Sequence, residues 1–565
     1  MDRTAWIAVV LCSLGLVGWY VYVAKQTQSQ AQQRAAIAAL APISPTPLAS
    51  VSPPPRATAP PSPTPAPSTA TFAETTETLR NSDLELHLTN RGGGIAKAVL
   101  LNHIAEDNKH VTLNEGDHPP IGLITDDPAN RDLPEYKLVR QGEAMQMEFV
   151  TPEQVTIRKK IFFPPDADKK DNFTAELDVD LTNGGTKPFG NAGYYLSVGS
   201  SAPIHEKDYA NYTRLVWCVN GSAKGIDVNW FAPSNGLFGI MGQRPGRDVY
   251  HESVKGAEWV ATSDQFFTTL IAPLSTKADG VWGRRVDVDP VKKMYGVEGA
   301  MHIPAFDLPP GASLGAKFEV YLGPKLYHKL ATLPHNEAEV MEFGIFKIIC
   351  QALLNALNTL HSFLGNYAAA ILALTVIVKA ILWPIQNKAN RSARQMAALS
   401  PKMQELREKY KDDPTKMNQE LMKLYKEYGI NPVGGCLPMV IQIPIFFGLF
   451  TMLRQAVELR NAHFLWIRDL SQPDTVGHIA GFPINILPLL MAGTSFWMTH
   501  LTPKSGDPTQ QRMMMFTPII FVVFCYNFAA ALALYYTTQN LLTILQLYQN
   551  RRQPPPTLQK VSAKK

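Results

Sequence analysis

The stretch AILALTVIVKAILWPI, residues 370–385, predicts a membrane-spanning helix that carries one positive charge, Lys379. Charged side chains within a span usually face a bundle interior or a water-filled cavity. Lys379 lies five residues before Pro384, about 8 Å along a helix, so its side chain can also extend to the membrane surface. The predicted spans contain no carboxylate to pair with it. A hydrated pocket open to the cytoplasm is therefore favoured over simple extension to the surface.

Apolar runs elsewhere in the chain predict further spans. Residues 5–24 carry no charge and match the length of about 20 residues that crosses a hydrocarbon core, although a cleaved signal peptide is the alternative. Two more runs cover residues 436–453 and 482–500. The run at residues 513–548 would be about 54 Å long as one helix, so we expect it to turn near residues 527–531 and form two spans. Together with the charged span, this gives six spans.

The distribution of lysine and arginine predicts the orientation of the chain. Ten of these residues lie in residues 386–430, and five more lie in the C-terminal segment 551–565. Because cytoplasmic loops carry an excess of lysine and arginine, both segments are expected in the cytoplasm. Counting spans back places the N-terminus there too. We therefore expect a multi-pass membrane protein with both termini cytoplasmic and the large domain outside, which in a bacterium with two membranes is the periplasm.

The first two thirds of the chain divide into segments by composition. Residues 1–25 form a first transmembrane anchor, and residues 26–70 form a linker that is rich in proline and cannot build a packed core. Residues 71–333 contain alternating runs such as AELDVDLTN, separated by turn signals such as LPPGAS. This pattern predicts a periplasmic all-β sandwich of many strands. The amphipathic segment at residues 334–365 carries few charges and is expected to lie at the membrane interface.

Residues 388–430 predict a cytoplasmic helical hairpin within a core domain at residues 366–550, which a basic tail at residues 551–565 follows. Two apolar seams share a 4-3-4 spacing, which is typical of helices that pack along a narrow face. The seams consist of Leu399, Met403, Leu406 and Tyr410, and of Met417, Leu421, Leu424 and Tyr428. Pro414 is suited to begin the second helix and Gly429 to end it. A solvated loop is the alternative.

Polar residues within the predicted spans form a candidate substrate site. They are Lys379, Thr375, Gln442, Tyr535, Tyr536 and Gln539. Thr375 lies one helical turn from Lys379 on the same face. No nucleophile with a base, no metal-ligand pattern and no phosphate loop accompanies these residues in the sequence. We therefore expect no enzyme activity, no catalytic residue, no cofactor and no metal.

Four stretches of the sequence match a known family in the same order. The most specific is NPVGGCLPMVIQIPIFFGLF at residues 431–450. LHSFLGNYAAAILALTVIVKAILWPI, residues 360–385, and ALALYYTTQNLLTILQ, residues 531–546, match the second and last spans of that family. WVATSDQFFTTLIAP, residues 259–273, matches part of its periplasmic domain. From end to end the chain resembles the YidC/Oxa/Alb family of membrane protein insertases, in the form found in Gram-negative bacteria.

The resemblance implies that five of the six spans form a core with a hydrophilic groove, open to the cytoplasm and to lipid. The family places an arginine in this groove, and the matching residue is Lys379, which keeps the charge without the planar guanidinium. Thr375, Tyr535 and Tyr536 match family positions associated with substrate contact. The family's Pro-Ser-Gly-like turn between the last two spans corresponds to Ala529-Ala530-Ala531. The periplasmic domain is expected to be a β-supersandwich.

The resemblance also implies a set of partners. These are nascent membrane proteins, the ribosome, the SecYEG translocon with its accessory subunits, and the lipid bilayer. Lys379 would attract polar or acidic segments, and the apolar span of a substrate would then enter lipid with a gain of about 0.8 kcal/mol per buried CH₂. The sequence therefore predicts a membrane protein insertase and chaperone. A membrane-anchored periplasmic binding or scaffold protein is the alternative, and an ion channel is a second one.

Overall fold

Alternating apolar and polar residues form strands in the first half of the chain. In strand Thr174–Asn183, for example, every second side chain is buried over most of its length, as expected where one face of a sheet packs on a core. The structure is a computed structural model and describes residues 72–105, 108–165, 171–237, 241–289, 294–411, 413–430, 437–502 and 508–553. Within those residues, the helices before residue 330 are no longer than four residues. The predicted β-rich domain is confirmed.

Within the described residues, the strands of this domain form three antiparallel sheets and one hairpin. The first sheet has the order β1 (Thr76–Arg80), β2 (Leu84–Thr89), β3 (Gly94–Ile104) and β4 (His110–Leu113). The second has the order β12 (Ser222–Asp227), β11 (Arg214–Val219), β16 (Trp259–Ser263), β17 (Phe267–Pro273), β20 (Ser313–Pro324), β9 (Thr174–Asn183), β8 (Val155–Phe162), β7 (Ala144–Val150) and β6 (Lys137–Gln141). The third has the order β15 (Val249–Ala257), β18 (Ala278–Asp289), β19 (Met294–Leu308), β10 (Phe189–Ser201) and β5 (Ile124–Thr125). The hairpin pairs β13 (Ser234–Leu237) with β14 (Met241–Arg244).

The second and third sheets pack face to face through small residues. Gly283 on β18 pairs with Gly299 on β19, and the buried side chain of Leu215 on β11 lies against both. A Cβ atom at either glycine would approach the Leu215 side chain to 2.7 Å or 2.6 Å, which is shorter than a van der Waals contact. Glycine is therefore required at these positions because the two sheets approach so closely.

A lysine is buried within the β domain and gives it a predictable pH dependence. Lys159 on β8 donates hydrogen bonds to the carbonyls of Gly92 at 2.9 Å and Gly122 at 3.0 Å, and burial lowers its pKa to about 7. In the unfolded chain a lysine titrates near 10.4. Between these values the unfolded chain binds a proton that the folded domain does not, so the free energy of unfolding should rise with pH by up to about 1.4 kcal/mol per unit.

Denaturation of the full chain at pH 7.5 and pH 9.5, beside the variant Lys159→Met, measures this effect. The stabilising contribution of neutral Lys159 is complete above the pKa of lysine in the unfolded chain and is lost as pH falls through its pKa in the folded domain. The free energy of unfolding should therefore rise more steeply with pH in the parent chain than in Lys159→Met. Because both proteins share every other titrating group, the difference between their slopes isolates Lys159. Equal slopes would show that the buried ammonium keeps its proton throughout this range.

From Lys347 onward the chain is mainly helical. Its helices are α1 (Lys347–Leu364), α2 (Tyr367–Lys409), α3 (Pro414–Glu427), α4 (Leu437–Gln455), α5 (Ile486–Leu501), α6 (Pro508–Cys525) and α7 (Ala530–Arg551). Short helical turns occur at Val228–Phe231, Tyr327–Leu330, Ala210–Tyr212, Glu337–Met341, Gly344–Phe346 and Val457–Leu459. A β-hairpin of β21 (Thr475–Ile479) and β22 (Phe482–Asn485) precedes α5. Among the described helices, α2 has the length and hydropathy of a membrane span, and α5 is apolar but shorter.

Helix α2 continues far beyond the length of a bilayer. Its 43 residues correspond to about 65 Å, whereas a hydrocarbon core is about 30 Å thick. The second half of α2 packs against α3 through a small core of its own. This core contains Leu399, Met403, Leu421, Leu424, Tyr428 and Ile430, with Met396, Leu406, Met417 and Tyr425 against it. The predicted hairpin is therefore present, although its first helix continues from the preceding span and Tyr410 lies outside the seam.

Two segments differ in detail from the sequence-based expectation, and a third agrees with it. In residues 334–365 the helix begins only at Lys347, because Asn336, Glu342 and Gly344 all have positive φ angles, which a right-handed helix cannot contain. The apolar run at residues 482–500 begins as strand β22, and its helix starts at Ile486. The expected break near residues 527–531 is present, since α6 ends at Cys525 and α7 begins at Ala530.

A polar and aromatic contact joins the β domain to the helices. The guanidinium of Arg454, at the end of α4, lies 3.5 Å from the centre of the Tyr209 ring and 5.4 Å from that of Tyr212. The side chain of Gln265 donates to the Arg454 carbonyl at 2.8 Å. One hydrophobic core continues from the sheets into α1, α2, α4 and α7. This end of α4 is therefore fixed against the β domain.

Some predictions fall outside the described residues. These include the first anchor at residues 1–25, the linker at residues 26–70 and most of the basic tail. Residues 431–436, the NPVGGC that begins the motif at residues 431–450, also lie outside them.

Candidate substrate site in the helix bundle

Lys379 lies inside the helix bundle with neutral partners. Its side chain is 2% exposed, and its ammonium donates to the side-chain oxygen of Gln386 and, at 2.9 Å, to the hydroxyl of Thr543. Gln386 follows Lys379 by two turns of α2, and Thr543 lies on α7. Residues 367–385 and helices α4 to α7 contain no aspartate or glutamate. The bundle therefore contains a buried positive charge to which these helices supply no counter-charge.

The contact between α2 and α7 continues as a series of polar pairs. Gln546 donates to the Asn387 side-chain oxygen at 2.8 Å, and Asn550 donates to the same atom at 3.4 Å. Arg394 donates to the Asn550 carbonyl at 2.7 Å, near the C-terminal end of α7. The sequence analysis missed this series, but a signal for it exists. Its members on α7, Thr543, Gln546 and Asn550, have the 3-4 spacing of one helix face.

A second polar contact joins α7 to α4. The side-chain amide of Gln442 donates to the hydroxyl of Tyr535 at 3.2 Å, and Tyr535 is 1% exposed. The neighbouring Tyr536 ring contacts Phe446 of α4 at 5.6 Å and Phe521 of α6 at 4.7 Å between ring centres. Gln442 and Tyr535 are therefore brought together as predicted site residues, and Tyr536 lies beside them among aromatic rings.

The remaining predicted residues have different environments. The Thr375 side chain is fully buried, and its hydroxyl donates to the Ile371 carbonyl of its own helix at 2.6 Å. The side-chain oxygen of Gln539 is buried and has no hydrogen-bond partner among the described residues. Thr543, which binds Lys379, follows Tyr535 by eight residues, about 12 Å along α7. The structure thus contains two polar groups, one around Lys379 and one around Tyr535, with Gln539 between them on α7.

Asn540, in the same polar cluster of the last span, faces another helix. Its side-chain amide donates to the hydroxyls of Ser495 at 2.8 Å and Thr494 at 3.1 Å, both on α5. The polar residues of α7 therefore divide among three neighbouring helices. This division fixes the rotation of α7, because each face has its own hydrogen-bond partners.

Comparison with protein families identifies both halves of the chain. A family model described as "60Kd inner membrane protein" matches residues 359–556, and a model described as "YidC periplasmic domain" matches residues 77–356. Together these two models cover nearly all of the described strands and helices.

Individual relatives agree with the family models. The protein named "Membrane protein insertase YidC" of Nitratidesulfovibrio vulgaris strain DP4 is 30% identical over 581 residues, which cover 96% of this chain and 98% of the relative. The protein of the same name from Syntrophus aciditrophicus is 29% identical and is covered over its full length. A solved structure titled "Active YidC insertase crystal structure with the first transmembrane domain resolved" aligns with a TM-score of 0.35 and 18% identity, over 86% of this chain and 94% of that one. The chain belongs to the YidC family of inner-membrane proteins, with a periplasmic β-rich domain followed by a membrane domain.

Proposed function

We propose that this protein inserts nascent membrane proteins into the inner membrane and assists their folding as a chaperone. The observation that carries the proposal is the buried Lys379, whose hydrogen-bond partners are neutral. A fixed charge in a bundle without a counter-charge is costly and usually marks a path for a polar or charged substrate. The names of the relatives, which are membrane protein insertases, support the same function.

The physical problem for an insertase is the polar segment that must cross the bilayer. Each backbone group left without a hydrogen bond in lipid costs several kcal/mol. A hydrophilic groove that extends partway into the membrane shortens the apolar distance, and Lys379 attracts acidic segments into it. The buried Gln539 oxygen supplies an acceptor for a substrate N–H group. The apolar span of the substrate then leaves into lipid, which needs no nucleotide.

We propose a specific topology for this function. The protein has six spans, of which five form the insertase core at residues 366–550. The β domain, a supersandwich of residues 71–333, lies in the periplasm, and the N- and C-termini are cytoplasmic. The length of α2 supports a hairpin that projects from the membrane, and the hairpin's many basic residues support its cytoplasmic location.

The partners follow from this topology. The basic hairpin and the basic C-terminal tail are suited to contact the ribosome, since ribosomal RNA is strongly negative. We propose that the protein works alone on some substrates and with the SecYEG translocon and its accessory subunits on others. Lys379, Thr375, Gln442, Tyr535, Tyr536 and Gln539 form the substrate groove.

A second candidate function is binding by the β domain. A cleft of about 780 Å³ opens beside β4 and the ends of β10 and β18. Its lining is rich in polar and charged side chains, including Lys109, Asn114, Asp117 and Asp287. A membrane-anchored binding or scaffold protein would use this cleft and would need the helices only as an anchor.

Deletion of residues 71–325 separates the two functions. We expect the shortened protein to keep most of its insertion activity, because the deletion leaves α1 to α7 and the contacts of Lys379 intact. Insertion of a short two-span substrate into proteoliposomes measures this. The contact of Arg454 with Tyr209 and Tyr212 is lost in the deletion, so the full-length variant Arg454→Ala serves as the control for that contact alone.

The deletion protein that also carries Lys379→Glu provides the matched control of low activity when the translocated segment of the substrate is acidic. If the deletion protein reaches the membrane at the normal level and inserts nothing, while Arg454→Ala is active, the helices are only an anchor. The binding function of the β domain would then replace the proposal.

A further inference from the structure

The β-hairpin before α5, residues 475–485, presents apolar side chains at its tip. Its two turn residues, Ala480 and Gly481, have φ angles of 50° and 79°, as in the tight turns that match the twist of paired strands. Ile479 and Phe482 flank the turn as a direct pair and are 69% and 61% exposed. A turn that faces water usually carries polar residues, whereas this hairpin, called the outer hairpin below, has no lysine, arginine, aspartate or glutamate.

Hydrogen bonds fix the outer hairpin to the helices. Asn485 donates to the Tyr526 carbonyl at 2.8 Å, and the Tyr526 hydroxyl donates to the Pro483 carbonyl at 2.7 Å. Just before the hairpin, the Asp474 carboxylate accepts from the Leu487 N–H at 2.7 Å and so caps the first turn of α5. The exposed tip is therefore held in a fixed position at the ends of α5 and α6.

This end of the bundle is the one opposite the α2–α3 hairpin. At the other end of α5, the Leu501 carbonyl accepts from Arg551 at 3.2 Å, near the contact of Arg394 with the end of α7. At the near end, the Ala530 N–H at the start of α7 donates to the Gln472 carbonyl at 2.8 Å. The outer hairpin therefore lies where α5, α6 and α7 approach the opposite membrane surface.

The apolar surface of the outer hairpin continues that of the membrane helix. Leu489 and Leu490, in the first turn and a half of α5, are 52% and 46% exposed, as lipid-facing residues are. Helix α5 has 16 residues and is therefore about 24 Å long, short of a hydrocarbon core of about 30 Å. The outer hairpin leads directly into the first residue of α5, so the exposed apolar surface extends past the start of the helix into the hairpin.

We propose that the tip of the outer hairpin, Ile479 and Phe482, inserts into the interfacial layer of the bilayer and anchors this end of the bundle. The partner is the lipid itself. Large apolar and aromatic side chains favour the boundary between head groups and acyl chains. The hairpin has no lysine or arginine, so anionic head groups are not required for it to bind. The inference rests on the family's membrane location and is independent of the charge on Lys379.

Collision rates of spin labels test the proposal on the full chain in lipid nanodiscs. Single-cysteine variants Ile479→Cys and Phe482→Cys, in a chain whose native cysteines are replaced, carry the nitroxide. Leu489→Cys provides the lipid-facing reference, and Val249→Cys on β15, where the side chain is 44% exposed, provides the reference in water. Oxygen, which is enriched in lipid, and a soluble nickel chelate are the two collision partners.

We expect the ratio of oxygen to nickel collisions at both tip positions to lie close to that of Leu489 and several-fold above that of Val249. The ratio should not change when anionic lipid replaces neutral lipid. A ratio equal to that of Val249 would place the tip in water and overturn the proposal. Low collision rates with both partners would show that protein covers the tip, such as the N-terminal segment or a second copy, and would overturn it equally. The Phe482 ring contacts the Tyr526 ring. If the Phe482→Cys variant disturbs this contact, the result at Ile479→Cys alone decides the test.

Discussion

Replacement of Lys379 with glutamate is expected to lower the insertion of substrates with acidic translocated segments by about thirtyfold or more. Two unit charges 8 Å apart at an effective dielectric constant of 20 interact by about 2 kcal/mol, which is roughly thirtyfold in an equilibrium constant. The variant replaces that attraction with repulsion of similar size. Substrates with neutral translocated segments should lose far less. Insertion of a matched pair of substrates, which differ only in two acidic residues of the translocated segment, measures the difference.

Three further variants test whether the charge of Lys379 causes the loss of insertion. Lys379→Arg should keep activity, because arginine retains the charge and can donate to Gln386 and Thr543. Lys379→Met removes the charge at similar volume and should affect the acidic substrate alone. Lys388→Glu makes the same charge change on the same helix at an exposed position, and should have little effect. If Lys379→Glu inserts acidic and neutral substrates equally well, the electrostatic part of the mechanism is wrong.

Replacement of Glu298 with alanine is expected to destabilise the β domain by about 3–5 kcal/mol, the usual cost of leaving buried charges without their partner. The Glu298 carboxylate on β19 is 3% exposed and accepts hydrogen bonds from three side chains. Arg131 binds both of its oxygens at 2.8 Å and 2.6 Å, Arg284 binds at 2.7 Å, and His118 lies 2.7 Å away. Without Glu298, two guanidinium groups would remain close together with no anion between them.

The variant Glu148→Ala is the matched control. Glu148 also pairs with an arginine, Arg158, at 3.1 Å, but both side chains are well exposed, and such pairs contribute only about 0–1 kcal/mol. Hydrogen exchange of the β18 and β19 amides in the full chain reports the free energy of opening for each variant. Equal protection in the two variants would show that Glu298 is replaceable and that the three sheets do not depend on it.

Local patterns were sufficient to predict several elements of the fold. The 4-3-4 seams from Leu399 and Met417 predicted the α2–α3 hairpin, because helix periodicity alone determines which side chains share a face. The apolar run at residues 513–548 was too long for one span, and the observed break between Cys525 and Ala530 follows from that length. Strand alternation in residues such as 174–183 likewise predicted the β domain.

Long-range pairings were not accessible from the sequence. Thr543 is 164 residues from Lys379, and no local pattern shows which helices become neighbours. The contact of Arg454 with Tyr209 joins two domains whose sequences carry no shared signal. Strand β22 was missed because FPIN carries no charge and leads directly into an apolar helix, so the absence of charge does not separate the two. The six predicted site residues stay a prediction, although the structure brings Gln442 and Tyr535 together.

Site-specific photo-crosslinking at Tyr536 tests most directly the central claim that substrates pass along the polar face of α7. A photoreactive amino acid at Tyr536 is compared with the same amino acid at Leu541, which is 47% exposed on another side of α7. Ribosomes stalled at increasing lengths of a short two-span membrane protein supply the substrate. We predict crosslinks at Tyr536 that appear as the first span emerges and fade on release, with few at Leu541. No crosslink at Tyr536 at any length in a folded protein, or equal crosslinking at both positions, would contradict the account.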